Sequence, residues 1–578
     1  MVKIEELNEE IEETKEKVRN EIKEEKKKLN LKEKNVGIWK KIFLHPEDAE
    51  NKFLNWFDSK KKIAFLTALI VGILTHITFI TEMLLSQDGL WNSLTYSVPT
   101  NWEIILGRWG IFLADFVVNY LAIPNITSVI SILIIAISTV FVIDILKLKN
   151  TIIIFLASCA MVVSPALTST MIYAYTSVAY CIAMLISVLI VWLIFKKTDT
   201  IFGRTINTVF ALVLMILSLG IYQSYMGVVI GLTMMRLIKD LFDNEISVKW
   251  FFIHGLIMVF VVIVGGLLYS HITEHIWEKL ELEGASYKGM ESISIENTLN
   301  NLSVSIPKIY NDFKEFYFGE SIVFNKNYKR HEFYKLMFEA TLILELIAIF
   351  ANKIYKKFYK IPLIVLMTLV IPIGLNSVLL LTTETSTYIL TAAQLILIIP
   401  FAGMICEIAG KKCTFIFRWA TIISMFLIVF TYYLADNVSY HILKQTYNQA
   451  YTTAIRIVDR IEQTQGYTPD RLVMINGIIE PNMNYRYQKS SNLYDYTIGT
   501  LFRDCPVFHG TYTGMEGTWM KFFSNYMGMR VQLCSTGDYL NLLKTEEYKN
   551  MGVFPAADSV KFIGHVVVVK LREEAIMP

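Results

Sequence analysis

Two carboxylates and an arginine carry the clearest chemical signal in the sequence. Glu82 and Asp88 stand in Thr81-Glu-Met-Leu-Leu-Ser-Gln-Asp-Gly-Leu-Trp91, just past the first long apolar run, and Gly107-Arg108-Trp109-Gly110 follows in the same connection. Charged groups at the lip of a bilayer are costly unless solvated, paired or put to use. A carboxylate placed there can take the proton of an attacking hydroxyl. A guanidinium can hold a phosphate through planar, paired donors. Glu82 shares a helical stripe with Thr75 and Thr78 at i, i+3 and i+7, so it should look into a bundle or a wet cavity. The competing reading is structural: Asp88 caps its loop, Glu82 pairs with a nearby base, and Arg108 snorkels between Trp102 and Trp109.

Two further groups invite chemistry. Lys326, Lys329, Arg330 and His331 cluster just before an apolar run. They are either a solvated loop or a phosphate dock built from ionised donors. Tyr173, Tyr175, Tyr180, Tyr222, Tyr225 and Tyr388 crowd the ends of apolar runs. Such rings form an interfacial belt, or they line a sugar site, for which Tyr173, Tyr175, Tyr222 and the adjacent Gln223 are the candidates.

The elements that must position these residues are membrane helices. The chain has 578 residues, of which 54% are hydrophobic, and a mean hydropathy of +0.44. These values exclude an ordinary soluble globule. A net charge of +2 gives no basis for a nucleic-acid partner. With about 20 apolar residues per crossing, spans are expected near 63–84, 126–147, 151–168, 172–195, 205–222, 224–242, 250–271, 335–353, 361–382, 386–407 and 413–434, about eleven in all. The stretch 205–242 is split at Tyr222-Gln-Ser-Tyr225 into two short helices. An odd number sets the termini on opposite sides. Lys60 to Lys62, Lys147, Lys149, Lys196, Lys197, Arg204, Arg236, Lys239, Lys249, Lys353, Lys356, Lys357, Lys360, Lys411 and Lys412 all fall on one face if the N-terminus is cytoplasmic.

Polar, charged residues precede the first apolar run, so no cleavable leader is expected and the first span should act as an internal anchor. Residues 1–35 alternate Glu and Lys as a solvated helix would. Ile38, Trp39, Phe43, Phe53, Trp56 and Phe57 among charges suggest an amphipathic segment over 38–58, lying on the inner surface. The expected organisation is a cytoplasmic region 1–60, a membrane domain 61–434 with external loops 85–125 and 272–334, and an external domain 435–578. In that last domain a helical pattern at 440–463, strands at Leu472–Ile475, Val560–Ile563 and Val566–Lys570, and a helical run near 537–550 read as a small α/β unit. It holds no Gly-rich phosphate loop, HExxH or GxSxG. Cys505 and Cys534 form either a disulfide or two thiols, and no Cys/His metal spacing occurs.

Asp88-Gly-Leu-Trp91, Gly107-Arg-Trp-Gly110, Ser164-Pro165 leading to Ile172-Tyr-Ala-Tyr175, Leu219-Gly-Ile-Tyr-Gln-Ser-Tyr225 and the closing Val553-Phe-Pro to Lys570 pattern occur in this order. Together they resemble the bacterial serotype-converting O-antigen glucosyltransferases over most of residues 63–570; the charged N-terminus departs from that pattern. The resemblance implies an all-α, polytopic GT-C-like membrane protein of the bacterial cytoplasmic membrane. It implies a polyprenyl-phosphate hexose donor, undecaprenyl-phosphate glucose, and a surface glycan acceptor outside the membrane. A flippase and a polyprenyl-phosphate sugar synthase would be partners. Asp88 and Glu82 match the carboxylates of the first external loop that act as base, and Arg108 with Lys326, Lys329 and Arg330 would hold the donor phosphate. No cofactor is signalled, and a divalent metal would be optional. A secondary transporter or flippase using Glu82 and Glu384, and a polysaccharide polymerase or ligase, are the rival classes. The lack of an evident inverted repeat and the large external domain weigh against transport.

Overall fold

The computed structural model describes residues 45–82, 84, 87–92, 95–198, 200–285, 295–319, 330–381, 386–411, 414–477 and 519–574. Segment 1–44, Lys326, Lys329, Glu384, Lys412, Cys413 and Cys505 lie outside the described residues. By internal contacts the chain divides into residues 1–62 and 63–578.

In the first unit, α1 (Pro46–Trp56) opens on a proline, which is pre-set for the first helical turn, and buries no residue. Phe53 stacks on Phe57 at 5.4 Å, and Lys61 lies 5.2 Å from the Trp56 ring.

The apolar helices begin with α2 (Ser59–Thr81). The short α3 (Gln87–Trp91), α4 (Asn101–Ile105) and α5 (Gly110–Phe116) build the first connection. Then follow α6 (Pro124–Leu146), α7 (Thr151–Val162), α8 (Pro165–Met171), α9 (Ala174–Phe195), α10 (Ile201–Ile221), α11 (Met226–Leu241), α12 (Val248–Lys279), α13 (Leu302–Phe318), α14 (Arg330–Ala351), α15 (Lys360–Leu375), α16 (Ile398–Ile408) and α17 (Phe415–Gln463). Their starts follow local chemistry: the Asn150 side chain accepts from the Ile152 and Ile153 amides, and Thr200 and Ser247 cap α10 and α12 in the same way.

Helices stand in each expected window. Among the described residues seven are long and apolar enough to cross a membrane: 59–81, 124–146, 151–171, 174–195, 201–221, 248–279 and 415–463. The others fall short for visible reasons. Lys335, Glu339 and Glu345 charge α14, α11 and α15 are only 16 residues long, and the 386–407 window spends residues 389–397 in 3₁₀ turns. Tyr222, extended at φ −158°, ends α10, and a 3₁₀ turn Gln223–Tyr225 leads into α11. That irregular backbone is buried in protein, where its polar groups find partners; Ser224 donates to the Thr391 carbonyl at 3.1 Å.

Two connections carry more helix than their composition suggested. α12 runs on through Lys279, and α13 tucks against the bundle, with Tyr310 donating to the Leu369 carbonyl and Tyr317 to that of Leu395. The last span and the 440–463 helix are one unbroken 49-residue helix, α17. No glycine or proline interrupts Phe415–Gln463, so nothing stops the hydrogen-bond ladder at the expected boundary.

α17 delivers the chain into a small sheet in the order β2-β1-β4-β3. β1 (Leu472–Asn476) is parallel to both β2 (Gln532–Leu533) and β4 (Val566–Lys570), and β3 (Val560–Ile563) is antiparallel to β4. All five residues of Val566–Lys570 are buried, as a central strand covered on both faces requires. Ala450, Ala454 and Ile457 of α17 pack beneath with Trp519, Phe522 and Phe523. Leu90, from α3 in the first connection, is fully buried in this same core.

Candidate functional site

The first connection is locked in place by short-range chemistry. Thr100 and Glu103 form a reciprocal capping box: the Thr100 hydroxyl accepts from the Trp102 amide, and the Glu103 carboxylate accepts from the Thr100 amide at 2.6 Å. At Gly107 the chain turns left-handed, with φ +72°. A side chain there would collide with the Tyr269 hydroxyl, so only glycine suits the turn. Tyr269 donates to the Gly107 carbonyl (3.0 Å), and Gln223 donates to the Leu106 carbonyl (3.0 Å) and to Tyr269 (2.8 Å). Trp277 reaches the Ile104 carbonyl at 2.7 Å, and Trp109 reaches Thr273 at 3.0 Å. The breakerless extension of α12 is thus the post to which the connection is tied.

The result is a fixed, half-buried Arg108. Its guanidinium lies 4.9 Å over the Tyr222 ring and donates to the Tyr180 hydroxyl at 3.4 Å. Tyr180 and Tyr222 stack at 4.4 Å, and the Tyr222 hydroxyl stands 3.4 Å from that of Tyr388. Tyr173 and Tyr175 pack edge to face at 6.2 Å. Three of the residues expected at a sugar or phosphate site, Arg108, Tyr222 and Gln223, therefore meet in one aromatic chamber, with Tyr180 and Tyr269 beside them. Gln223 uses its amide nitrogen to hold the loop.

The two carboxylates part company. Asp88 is exposed on α3, two residues from the buried Leu90. Glu82 forms an ion pair with Lys444 of α17, 2.5 Å apart, both side chains 40% exposed. The pairing of Glu82 with a base, one of the two alternatives its position left open, is the geometry observed. Arg330 stands apart from Arg108. It is 1% exposed, donates to the Gly319 carbonyl at 2.8 Å, and its charge lies among Tyr317, Tyr334 and Tyr432.

Sequence reasoning passed over Asp115. This carboxyl, on α5 two turns beyond Arg108, is 3% exposed and has one oxygen buried without a hydrogen-bond partner. Burial, reinforced by the charge of Glu103, pushes it up to about 8. The signal was present in Ile111-Phe-Leu-Ala-Asp115, an acid ending an apolar stretch. Lys444 and Tyr526 were also missed, because only the fold brings them to Glu82. Among the described residues no group of three His, Cys, Asp or Glu side chains is placed to hold a metal ion.

No curated protein and no solved structure matches the chain. The model of the family Glucosyl transferase GtrII matches residues 77–432, well over half of the sequence, spanning Glu82, Asp88, the Arg108 chamber and every helix from α3 to α16. A membrane-type helical bundle with this match is a glycosyltransferase, and the chain belongs to the GtrII glucosyl transferase family.

Proposed function

We propose that the protein moves glucose from a polyprenyl-phosphate donor to a cell-surface glycan at the outer face of the bacterial cytoplasmic membrane, with its N-terminus inside and its C-terminal domain outside. The family match supports glucosyl transfer. The Arg108–Tyr180–Tyr222 chamber, built on the same connection that carries Asp88, is the observation that carries the rest.

In this reading the donor phosphate rests on Arg108, and its hexose lies against Tyr173, Tyr175 and Tyr222. Asp88, exposed on the loop that leads to Arg108, is the base. As the acceptor oxygen bonds to the sugar C1, its proton passes to Asp88 and the C1–O bond to phosphate breaks. Polyprenyl phosphate leaves with one added negative charge, which Arg108 balances. One direct displacement inverts the anomeric centre; a carboxylate nucleophile would retain it. Lys326 and Lys329 would guide the donor phosphate toward the chamber, whereas Arg330 is buried against the Gly319 carbonyl and takes no part in that contact.

Purified full-length protein in lipid discs, supplied with radiolabelled undecaprenyl-phosphate glucose and envelope glycan, should transfer label to glycan. Asp88→Asn should lower the rate about 10²–10⁴-fold, with Glu82→Gln less affected. Normal transfer by Asp88→Asn would remove that residue from the mechanism.

A further inference from the structure

The seam between α17, the end of α2 and the C-terminal domain has a makeup that the reaction centre leaves unused. Lys444, Asn448 and Tyr451 follow one another at i, i+4 and i+7 on α17, so they share a face. Tyr451 is 40% exposed and meets the edge of Tyr526 at 6.1 Å. Tyr526 is fixed from behind by Tyr447 at 4.8 Å and Phe522 at 5.2 Å. Glu82 closes the lower side through its ion pair with Lys444. Burial and then the Glu82 charge push the Tyr526 phenol up to about 12, so it remains a neutral donor. Asn525 donates to the Leu90 carbonyl at 3.4 Å, tying this surface to the loop that carries Asp88.

An interfacial aromatic belt does not account for this grouping. Tyr451 lies about 10 Å of helix rise beyond Lys444, farther than a headgroup layer about 5–8 Å thick. An accessible ring face beside a carboxylate, an ammonium, a phenol and two amides instead matches a sugar, whose apolar face stacks while its hydroxyls both donate and accept.

We propose that this seam is the acceptor subsite, in which an oligosaccharide ring lies on Tyr451 and Tyr526 with its hydroxyls between Glu82, Lys444, Asn448 and Asn525, presenting its attacking hydroxyl toward Asp88. The proposal rests on the glucosyl-transfer reading above. It gives Glu82 a binding role, and it differs from the chamber that holds the donor sugar.

The test uses full-length protein in lipid discs and oligosaccharides released by mild acid from the envelope of the cells that make it. Binding is read by saturation-transfer NMR without donor, and transfer is read separately. Tyr451→Ala should weaken oligosaccharide binding and raise the acceptor KM about ten-fold while the donor KM moves less than about two-fold; Tyr451→Trp should restore both, since it keeps the stacking face. Lys444→Gln is the second variant and should show the same split. Unchanged binding in both alanine and glutamine variants, or an equal rise in donor and acceptor KM, would overturn the subsite. Wild-type protein that binds oligosaccharide in a Tyr451-dependent way yet transfers no glucose would sink the catalytic reading and leave the subsite standing.

Discussion

Arg108 owes its place to geometry that lysine cannot reproduce. The planar guanidinium meets the Tyr222 face and the Tyr180 hydroxyl together, whereas an ammonium is a point charge on a flexible stem. Arg108→Lys should raise the KM for polyprenyl-phosphate glucose about ten-fold with a smaller change in acceptor KM, because stacked contacts of this kind contribute up to about 2 kcal/mol. Steady-state transfer at varied donor concentration checks it. Asp115 makes the opposite point, since its environment opposes ionisation. With a folded value of about 8 against about 4 in an open chain, the folded protein keeps a proton that the unfolded chain has lost between those pH values. Stability should therefore fall as pH climbs from about 4 to about 8 and level off above. Asp115→Asn stays neutral and removes that decline. Its thermal midpoint should match wild type near pH 4 and exceed it increasingly toward pH 8; a variant less stable at pH 8 would mean that the ionised form has a partner. Arg108 and Asp88 were legible in the sequence because charge in an apolar setting stands out. Asp115 was equally visible and was passed over, since nothing in its spacing tied it to Arg108 or Glu103.

At the scale of elements, the periodic signals carried well and the joints did not. The strands at 472–476, 560–563 and 566–570 sit where alternating and apolar runs put them, and the break at Tyr222 falls where the polar Gln-Ser pair interrupts an apolar run. The sequence could not reveal that α17 continues unbroken into the C-terminal domain, because the polarity change at Ala435–Asn437 looks like an ending while the backbone has no reason to stop. Nor could it reveal the contact between α5 and α10, which depends on two glycines far apart in the chain. A Cβ on Gly110 would stand 2.7 Å from the Gly220 backbone, and one on Gly220 would stand 2.8 Å from the Trp109 ring. Trp109 is the neighbour of Arg108 and is pinned by Thr273, so the strain has no easy exit. Gly220→Ala should destabilise the protein by about 1–3 kcal/mol, the usual cost of overpacking, and should raise the donor KM by displacing Arg108. A thermal midpoint with the donor KM checks both; an unaltered donor KM would show that the loop is positioned by α12 alone.

One loop of the first connection reaches into the C-terminal domain. Leu90 is buried in the same core as Trp519, Phe522 and Val567, so the segment that presents Asp88 is a component of the C-terminal domain's interior. The family match ends at residue 432, before that domain begins, yet the domain grips the loop on which the proposed chemistry depends. This joint placement also gives the orientation a sharp test. If Asp88, Tyr451 and the sheet share one side, cysteines introduced at 88 and 448 in a background without native thiols should react with a membrane-impermeant maleimide on intact spheroplasts. Cysteines at Lys149 and Lys411, which the lysine pattern places inside, should react only after permeabilisation. The packing of Leu90 makes the outcomes at 88 and 448 inseparable: the loop cannot face inward while the core that buries its leucine faces outward. Labelling of 88 from inside alone, with 448 labelled from outside, would contradict the fold. Labelling of both from inside alone would keep the fold and invert the membrane orientation, removing the outer-face transfer reaction with it.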